Sequence, residues 1–302
     1  GAKGEGTGFI RNAEKWREIC VNMDTICENA PVDTSYTLFG RTFEIPAFAA
    51  PIGAMRLHYG DKYDDLTYND ILIRACANAG ILAFTGDGTD PKVVEGAAKA
   101  LKAQHGCGVP TIKPWDMDTI REKFALVKAA EPFAIAMDID AAGLPFLQGL
   151  TPPAGSKSVK ELRQIVSWAE RPFILKGIMT ARGAEKALEA GASIVVSNHG
   201  GRVLDHCPAT AEVLSEIADA VGGKMTIFVD GAIRSGMDIF KALALGADAV
   251  LIGRPFVTSV YGGGEEGVKL YVSKLKAELA DTMRMCGAHS LAEIDRSMIY
   301  RG

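Results

Sequence analysis

The stretch SNHGGR, residues 197–202, follows an apolar run and carries an imidazole and a guanidinium three residues apart. Histidine is the side chain best suited to proton transfer near neutral pH, and arginine presents a planar set of donors that fits a carboxylate or a phosphate. A strand that only fills a core does not need His199 and Arg202 at its end. The pattern therefore indicates a ligand site, although an isolated histidine is more often a hydrogen-bonded core residue.

A second group of candidate residues lies in DGAIRSGMDIFKALALGADAVLIGRPF, residues 230–256. It contains two combinations of glycine and arginine, Gly231 with Arg234 and Gly253 with Arg254. Glycine turns expose backbone N–H groups, and guanidinium groups add charge-assisted hydrogen bonds to an anion. One such combination could simply shape a tight turn, but two at adjacent strand ends favour a phosphate site.

The elements that must position these residues alternate along the chain. Amphipathic stretches with helical spacing separate short apolar runs, which is typical of parallel strands covered by helices. Eight such runs favour a closed (β/α)8 TIM barrel in a single domain over an open doubly wound sheet. The predicted strands lie near 45–50, 80–85, 108–113, 132–138, 172–176, 193–197, 225–230 and 248–252. The predicted helices include 68–79, 116–130, 180–190, 208–221 and 235–245.

This pattern also predicts how the chain is divided. We expect residues 1–44 to form an N-terminal extension and residues 45–302 to form the barrel. Residues 143–158, rich in Gly, Pro and Ser, are the longest irregular connection and follow the fourth strand. A lid and a plain surface loop both fit this connection.

The carboxyl ends of barrel strands face one mouth, where ligands bind. So many polar and ionisable groups on one rim indicate a functional site. The candidate residues, from the first strand end to the eighth, are Pro51, Ile52, Gly53, Thr85, Gly86, Thr111, Lys113, Asp138, Lys176, Ser197, His199, Arg202, Asp230, Gly231, Ala232, Arg234, Gly253 and Arg254.

Composition limits the classes of partner. The 302-residue chain has a net charge of -4 and dispersed Lys and Arg, so we expect no nucleic-acid partner. No apolar run approaches the roughly 20 residues that span a bilayer, and the start lacks the apolar core of a secretory signal. We therefore expect a cytoplasmic protein with no membrane partner. The six cysteines form no CxxC pair, which predicts reduced thiols and no metal site.

The motifs together carry a family resemblance. LKGIMT, VVSNHGGRVLD and VDGAIRSGMDIFKALALGADAVLIGRPF resemble the FMN-dependent α-hydroxy-acid oxidase and dehydrogenase family, which includes glycolate oxidase and lactate oxidase. The similarity is strongest over residues 172–295, and DTSYTLFGRTFEIPAFAAPIGAM resembles the family's first barrel strand. The resemblance implies FMN as cofactor, a small-molecule substrate and a homotetramer. The chain has no GxGxxG turn, which agrees with FMN rather than FAD.

The resemblance also implies roles for the rim residues. His199 corresponds to the base that takes a proton from the substrate hydroxyl while hydride passes to flavin N5, and Arg202 to the residue that holds the substrate carboxylate. Lys176 would stabilise the negative charge of reduced flavin. Asp230 would orient the base or assist ribityl binding. The implied FMN contacts are the rim residues other than His199, Arg202 and Lys113, with the phosphate on Gly231, Arg234, Gly253 and Arg254.

The substrate side departs from the family pattern. Family members usually carry Gln and Tyr on the third strand, where this chain has Thr111 and Lys113. The second substrate-binding Arg is absent from DIDAAGLPF, and Gly86 stands in place of a Ser. The family's N-terminal segment, which brings a Tyr to the substrate, is missing or much shortened. Lys113 is a candidate substrate contact, with a flexible surface lysine as the alternative.

These observations predict an FMN-dependent oxidoreductase that acts on a small 2-hydroxy acid. Because the substrate side departs from the family pattern, a different FMN-dependent barrel enzyme, a reductase or an isomerase that uses reduced flavin, stays open. A third class comprises barrel enzymes without flavin and proteins that only bind phosphate.

Overall fold

Eight parallel strands surround the core of the computed structural model, which describes residues 2–147, 149–151 and 153–300. Each strand lies within or beside an apolar run that was predicted to be a strand. A strand that is buried on both faces needs such a run. The barrel strands are β1 (Ala47–Ala49), β2 (Phe84–Thr85), β3 (Val109–Ile112), β4 (Ile135–Asp138), β5 (Phe173–Ile178), β6 (Ser193–Val196), β7 (Ile227–Val229) and β8 (Ala249–Ile252).

The sheet closes into a barrel. Its hydrogen-bonded order is β1-β8-β7-β6-β5-β4-β3-β2. A parallel bridge between Ala49 and Ala83, with the Ala49 N–H donating to the Leu82 carbonyl at 3.1 Å, joins the two remaining edges. The prediction of a (β/α)8 barrel is therefore confirmed.

Helices follow the strands around the barrel. The five helices named from the sequence are present, with ends displaced by at most a few residues, and three further barrel helices complete the predicted alternation. The barrel helices are α1 (Asp65–Asn78), α2 (Pro91–Ala103), α3 (Met117–Lys128), α4 (Val159–Ala169), α5 (Ala181–Ala190), α6 (Thr210–Val221), α7 (Gly236–Ala244) and α8 (Arg254–Met285).

The barrel interior is filled with aromatic side chains. Phe228 on β7 lies 6.3 Å from Phe48 on β1 and 6.1 Å from Phe84 on β2, measured between ring centroids. Below them, Phe43 of the hairpin Tyr36–Leu38 and Arg41–Phe43 packs on Phe133, which precedes β4. The hairpin therefore covers the amino ends of the strands and leaves the opposite end for ligands.

The segment before the barrel packs closely against it. Its helix, Thr7–Glu18, buries Trp16, whose carbonyl accepts a hydrogen bond from the Lys241 ammonium on α7 at 3.1 Å. Cys20–Val21 then pairs antiparallel with Ile299–Tyr300. The predicted extension thus contacts the barrel at several points along its length.

Two further findings concern membrane-spanning helices and the cysteine and metal-ligand side chains. None of the helices in the described ranges is long and apolar enough to cross a membrane. All six cysteines are free in the structure, and no group of ligand-type side chains among the described residues could hold a metal ion.

Candidate active site

The mouth of the barrel brings together residues from several strand ends. Lys176 lies on β5, Asp138 ends β4, and His199 follows β6 in a short 3-10 turn, His199–Gly201. Lys113 and Asp230 follow β3 and β7. Parallel strands place these side chains at one rim, as the sequence pattern predicts.

His199 is held at its backbone and at its ring. Its backbone N–H donates to the Ser197 hydroxyl at 3.1 Å. Its ring Nδ1 lies 3.0 Å from the Asp140 carboxylate, which leaves the opposite ring nitrogen, Nε2, for a substrate. The residue adopts φ +55°, a conformation that side chains other than glycine rarely take.

Asp140 provides a carboxylate that stays ionised. Burial opposes its charge, but the nearby Lys176 and His199 outweigh this effect and lower the pKa of Asp140. The expectation that Asp230 orients the base does not fit this geometry, because Asp230 faces Lys176 instead. The sequence places Asp140 at the fourth strand end, but nothing in the residue pattern connects it with His199.

Lys176 forms the centre of a buried charged group. Its ammonium donates to the Ser197 hydroxyl at 3.0 Å and lies 3.5 Å from the Asp230 carboxylate. Burial lowers its pKa, but Asp230, Asp140 and Asp138 outweigh burial, so the pKa of Lys176 is raised. A fixed positive charge therefore lies inside the mouth at neutral pH.

Lys113 is buried, and the alternative of a flexible surface lysine is wrong. Its ammonium lies 3.1 Å from the Asp138 carboxylate, and both side chains are 8% exposed. Its backbone N–H donates to Asp87 at 3.1 Å. Asp138 thus offsets the charge of Lys113, which is less free to bind an anion than an unpaired lysine.

Two glycines of this site lie against backbone, whereas a Cβ on Gly200 would meet no atom within 4 Å. A Cβ on Gly201 would lie 2.4 Å from the Phe9 nitrogen of the N-terminal helix. The absence of a side chain at Gly201 therefore lets the loop approach that helix closely. A Cβ on Gly86 would lie 2.4 Å from the Gly53 nitrogen, so the connections after β1 and β2 touch. Half-buried Pro51 and Ile52 lie beside this contact.

Buried polar atoms at the mouth fit a bound flavin. Among the residues that the structure describes, Thr85 Oγ1, Thr111 Oγ1, Asp138 Oδ1 and Asp230 Oδ1 are buried and have no hydrogen-bond partner. A buried polar group without a partner costs roughly 1–3 kcal/mol. Four such atoms at the ends of β2, β3, β4 and β7 match the many donors and acceptors of a flavin ring and ribityl chain.

The other end of the mouth fits a phosphate. Arg234 and Arg254 lie near one another, and partial burial together with the charge of Arg254 lowers the pKa of Arg234. Two guanidinium groups that repel each other are stabilised by an anion between them. Gly231 at φ +93° and Ala232 at φ +71° turn the backbone after β7.

The helix N-terminus available to this anion belongs to α8. The α7 terminus is closed by a capping box of Ser235 and Asp238. At Gly253, which precedes α8, no side-chain cap is present within the described part of the chain. The partial positive charge of the α8 terminus therefore adds to Arg254.

One side of the barrel mouth, called the wall here, contains a contact between His58 and Phe146 that was not predicted from the sequence. His58 lies on a short helix, Met55–Tyr59, after β1, and its ring is 6.2 Å from Phe146, in a 3-10 turn after β4. Because β2 and β3 separate these strands, the contact bridges two separate parts of the rim. Burial, followed by the charges of Arg202 and others, lowers the pKa of His58. Half-buried Arg202 therefore lies close to this wall.

Residues 143–158 include the 3-10 turn that carries Phe146, and they make a second contact with the connection after β3. Ala154 forms an isolated bridge with Trp115 after β3. Gln148 and Pro152, within the same connection, lie outside the described residues.

A (β/α)8 barrel with a cationic phosphate end, buried polar atoms for a ring system and a His–Asp pair defines a class, the flavin-dependent barrel oxidoreductases. Residues 1–148 and 153–301 match the model of the FMN-dependent dehydrogenase family. The chain belongs to this family.

Known relatives agree with this assignment. The peroxisomal (S)-2-hydroxy-acid oxidase of Oryza sativa subsp. japonica is 31% identical over 338 residues, covering 99% of this chain and 89% of the relative. A structure of mandelate oxidase with 2-hydroxy-phenylacetamide has a TM-score of 0.83 at 27% identity, covering 98% of this chain and 90% of the other. Another, with an FMN adduct, has a TM-score of 0.81 at 28% identity, covering 98% and 92%.

The chain is therefore an FMN-dependent enzyme of the 2-hydroxy-acid oxidase family. These relatives support the predicted oxidoreductase and FMN, and they do not support the reductase, isomerase or non-flavin alternatives.

Proposed function

We propose that the protein oxidises a small 2-hydroxy acid to the corresponding 2-keto acid, with His199 as the general base. The observation that carries the proposal is the 3.0 Å contact between His199 Nδ1 and Asp140, beside the buried Lys176. Bound FMN supplies a hydride acceptor at its N5 atom. The 2-hydroxy-acid oxidase and mandelate oxidase relatives support this substrate class.

Four residues of the protein have separate roles in the proposed reaction. His199 Nε2 takes the hydroxyl proton, and Asp140 holds the proton on Nδ1 and stabilises the imidazolium that results. Arg202 holds the substrate carboxylate with its planar donors. With FMN bound, the positive charge of Lys176 would stabilise negative charge on the cofactor.

The cofactor contacts follow the rim. Gly231, Ala232, Arg234, Gly253 and Arg254 hold the phosphate. Lys113, paired with Asp138, is a substrate contact at the edge of this surface. The residues that would hold the ring and ribityl chain are Pro51, Ile52, Gly53, Thr85, Gly86, Thr111, Asp138, Lys176, Ser197 and Asp230.

Anaerobic mixing with a panel of hydroxy acids tests the proposal. Glycolate, lactate and mandelate are mixed with the FMN-loaded enzyme while flavin bleaching is followed by stopped flow. We expect at least one of them to bleach the flavin and to yield its keto acid. Bleaching by a nicotinamide nucleotide, with none by any hydroxy acid, would contradict the proposal.

We also propose that residues 1–44 are an extension of the FMN-binding barrel of residues 45–302. We further propose that the enzyme is a homotetramer and is located in the cytoplasm. Free cysteines suit a reducing compartment, whereas the Oryza relative is named peroxisomal. Exposed apolar side chains such as Leu270, 73% exposed, suit burial between subunits. Light scattering and cell fractionation test these points, and a 32.1 kDa species alone would exclude the tetramer.

A further inference from the structure

The N-terminal helix has its first turn stabilised by a residue far away in the chain. The helix Thr7–Glu18 follows Gly6, which has no side chain to cap the first N–H groups. Asp205 takes this place. Its carboxylate accepts hydrogen bonds from the Thr7 hydroxyl at 2.6 Å, the Glu5 N–H at 2.6 Å and the Gly8 N–H at 3.4 Å. The Thr7 hydrogen bond is the main cause that lowers the pKa of Asp205.

One turn further along, the same helix carries a buried amide pair. Asn12 Nδ2 donates to Asn198 Oδ1 at 2.8 Å, and Asn198 Nδ2 donates to Asn12 Oδ1 at 3.0 Å. The Thr210 N–H also donates to Asn12 Oδ1, at 3.2 Å. Both asparagines are 2% exposed, so each hydrogen bond is shielded from water.

These two contacts flank the candidate catalytic residues. Asn198 immediately precedes His199, and Asp205 follows Arg202 by three residues. Between them, the Gly201 carbonyl accepts a hydrogen bond from the Lys3 N–H at 2.9 Å. The loop that carries His199 and Arg202 is therefore held at its start, middle and end by residues 3–12.

The same helix reaches the phosphate end of the mouth. The Arg254 guanidinium lies over the Phe9 ring, 4.7 Å from its centroid, in a cation–π contact. One element thus contacts both the loop of the proposed base and one of the proposed phosphate ligands.

We propose that Asn12 and Asp205 are positioning residues, which hold His199 and Arg202 in the geometry needed for oxidation through the first turns of the N-terminal helix. The inference rests on the proposed function of His199 and Arg202. Small displacements of reacting groups, on the order of 1 Å, can lower a reaction rate by about 100-fold. Neither residue needs to touch the substrate for this effect.

The test compares Asn12→Leu and Asp205→Ala with Trp16→Leu in the FMN-loaded enzyme. Asn12→Leu removes the hydrogen bonds at similar volume, and Trp16→Leu weakens the packing of the same helix away from the loop. Flavin reduction by the best substrate of the panel is measured by stopped flow, and unfolding by thermal melts. Amide hydrogen exchange of residues 199–204 is measured in the same preparations.

We expect Asn12→Leu and Asp205→Ala to lower the reduction rate by about 10- to 100-fold and to accelerate exchange in the loop. Trp16→Leu should keep the parent reduction rate, and amide exchange in the loop should stay as slow as in the parent. We expect this even if Trp16→Leu lowers the melting temperature as much as Asn12→Leu does. The rates are compared at full FMN occupancy, because the Asn12 side chain lies beside Gly231 of the proposed phosphate site.

Equal reduction rates and equal loop exchange in Asn12→Leu and Trp16→Leu would overturn the positioning role. His199→Ala separates this result from a failure of the proposed function. If His199→Ala reduced flavin at the parent rate, His199 would not be the base. Faster amide exchange of residues 199–204 in Asn12→Leu would then still support the inference that Asn12 holds this loop in place. Unchanged exchange would reject it.

Discussion

His199 and Asp140 are 59 positions apart in the chain, and their contact assigns a different function to each ring nitrogen of the histidine. A base of this kind contributes roughly 100- to 10,000-fold to a rate. We therefore expect His199→Ala to slow flavin reduction by at least about 100-fold while FMN stays bound. Stopped-flow reduction and flavin absorbance of the same sample check both parts. A parent reduction rate in His199→Ala would exclude this residue as the base.

Asp140 can be tested through activity and through stability. Asp140→Asn removes the charge that stabilises the imidazolium, so we expect flavin reduction to slow by about 10-fold or more. The FMN content should not change. A parent rate in this variant would show that Asp140 only fills space beside His199.

The pH dependence of stability has a defined sign. The pKa of Asp140 is lowered in the folded protein, so its carboxylate stabilises the fold above the unfolded value of about 3.9. This contribution is lost as the pH falls through the lowered pKa. The difference in unfolding free energy between the parent and Asp140→Asn should therefore shrink as the pH falls below about 4. Urea titrations over this range measure it, and a difference independent of pH would contradict the prediction.

At the scale of elements, the loop after β7 and the start of α8 form the proposed phosphate site. Arg234→Ala removes one of its two guanidinium groups, and a hydrogen bond to a charged group is worth about 1.5–3 kcal/mol. We expect FMN affinity to fall by this amount and activity to recover partly with added FMN. Fluorescence titration of the apoprotein measures the affinity. Arg182→Ala, at an exposed position of α5, is the matched control, and equal affinities in both variants would reject the site.

The connections after β1 and β4 meet at the His58–Phe146 contact, 6.2 Å between ring centroids. Phe146→Ala should make room beside the substrate without touching the His199–Asp140 pair. We therefore expect the ratio of kcat/KM for mandelate to that for glycolate to rise by about 10-fold. Leu57→Ala, on the same short helix as His58 but 72% exposed, should leave the ratio unchanged. An unchanged ratio in Phe146→Ala would show that this contact does not limit substrate size.

For the whole molecule, the N-terminal helix and the barrel share one core through Trp16, which is 2% exposed. Truncating a buried Trp to Ala costs roughly 3–5 kcal/mol. We expect Trp16→Ala to lower the unfolding free energy by this amount in a single transition, because the extension and the barrel unfold together. Denaturant titration followed by circular dichroism measures this. Two separate transitions would show that the extension folds independently of the barrel.

Much of the architecture could be predicted because its causes are local. A strand buried on both faces needs a short apolar run, and a helix that covers it needs apolar residues at helical spacing, so both leave periodic signals. The eight strands were predicted on this basis. Helix α4 begins directly after the irregular residues 143–158, and α8 contains Gly264 in a non-helical conformation. Gly264 interrupts the helical spacing within α8, which makes the bounds of this helix harder to place from the sequence.

The sequence by itself determined the barrel, the rim and the types of residue on that rim, because parallel strands in a closed sheet must end at the same mouth. Only the tertiary structure decided which groups meet there. It paired Asp140 rather than Asp230 with His199, bound Lys113 to Asp138, and turned Gly201 toward the N-terminal helix. The physical reason is that hydrogen bonds and charge interactions act over a few ångströms. Asn12 and Asn198 are 186 positions apart, and no pattern along the chain records that they touch.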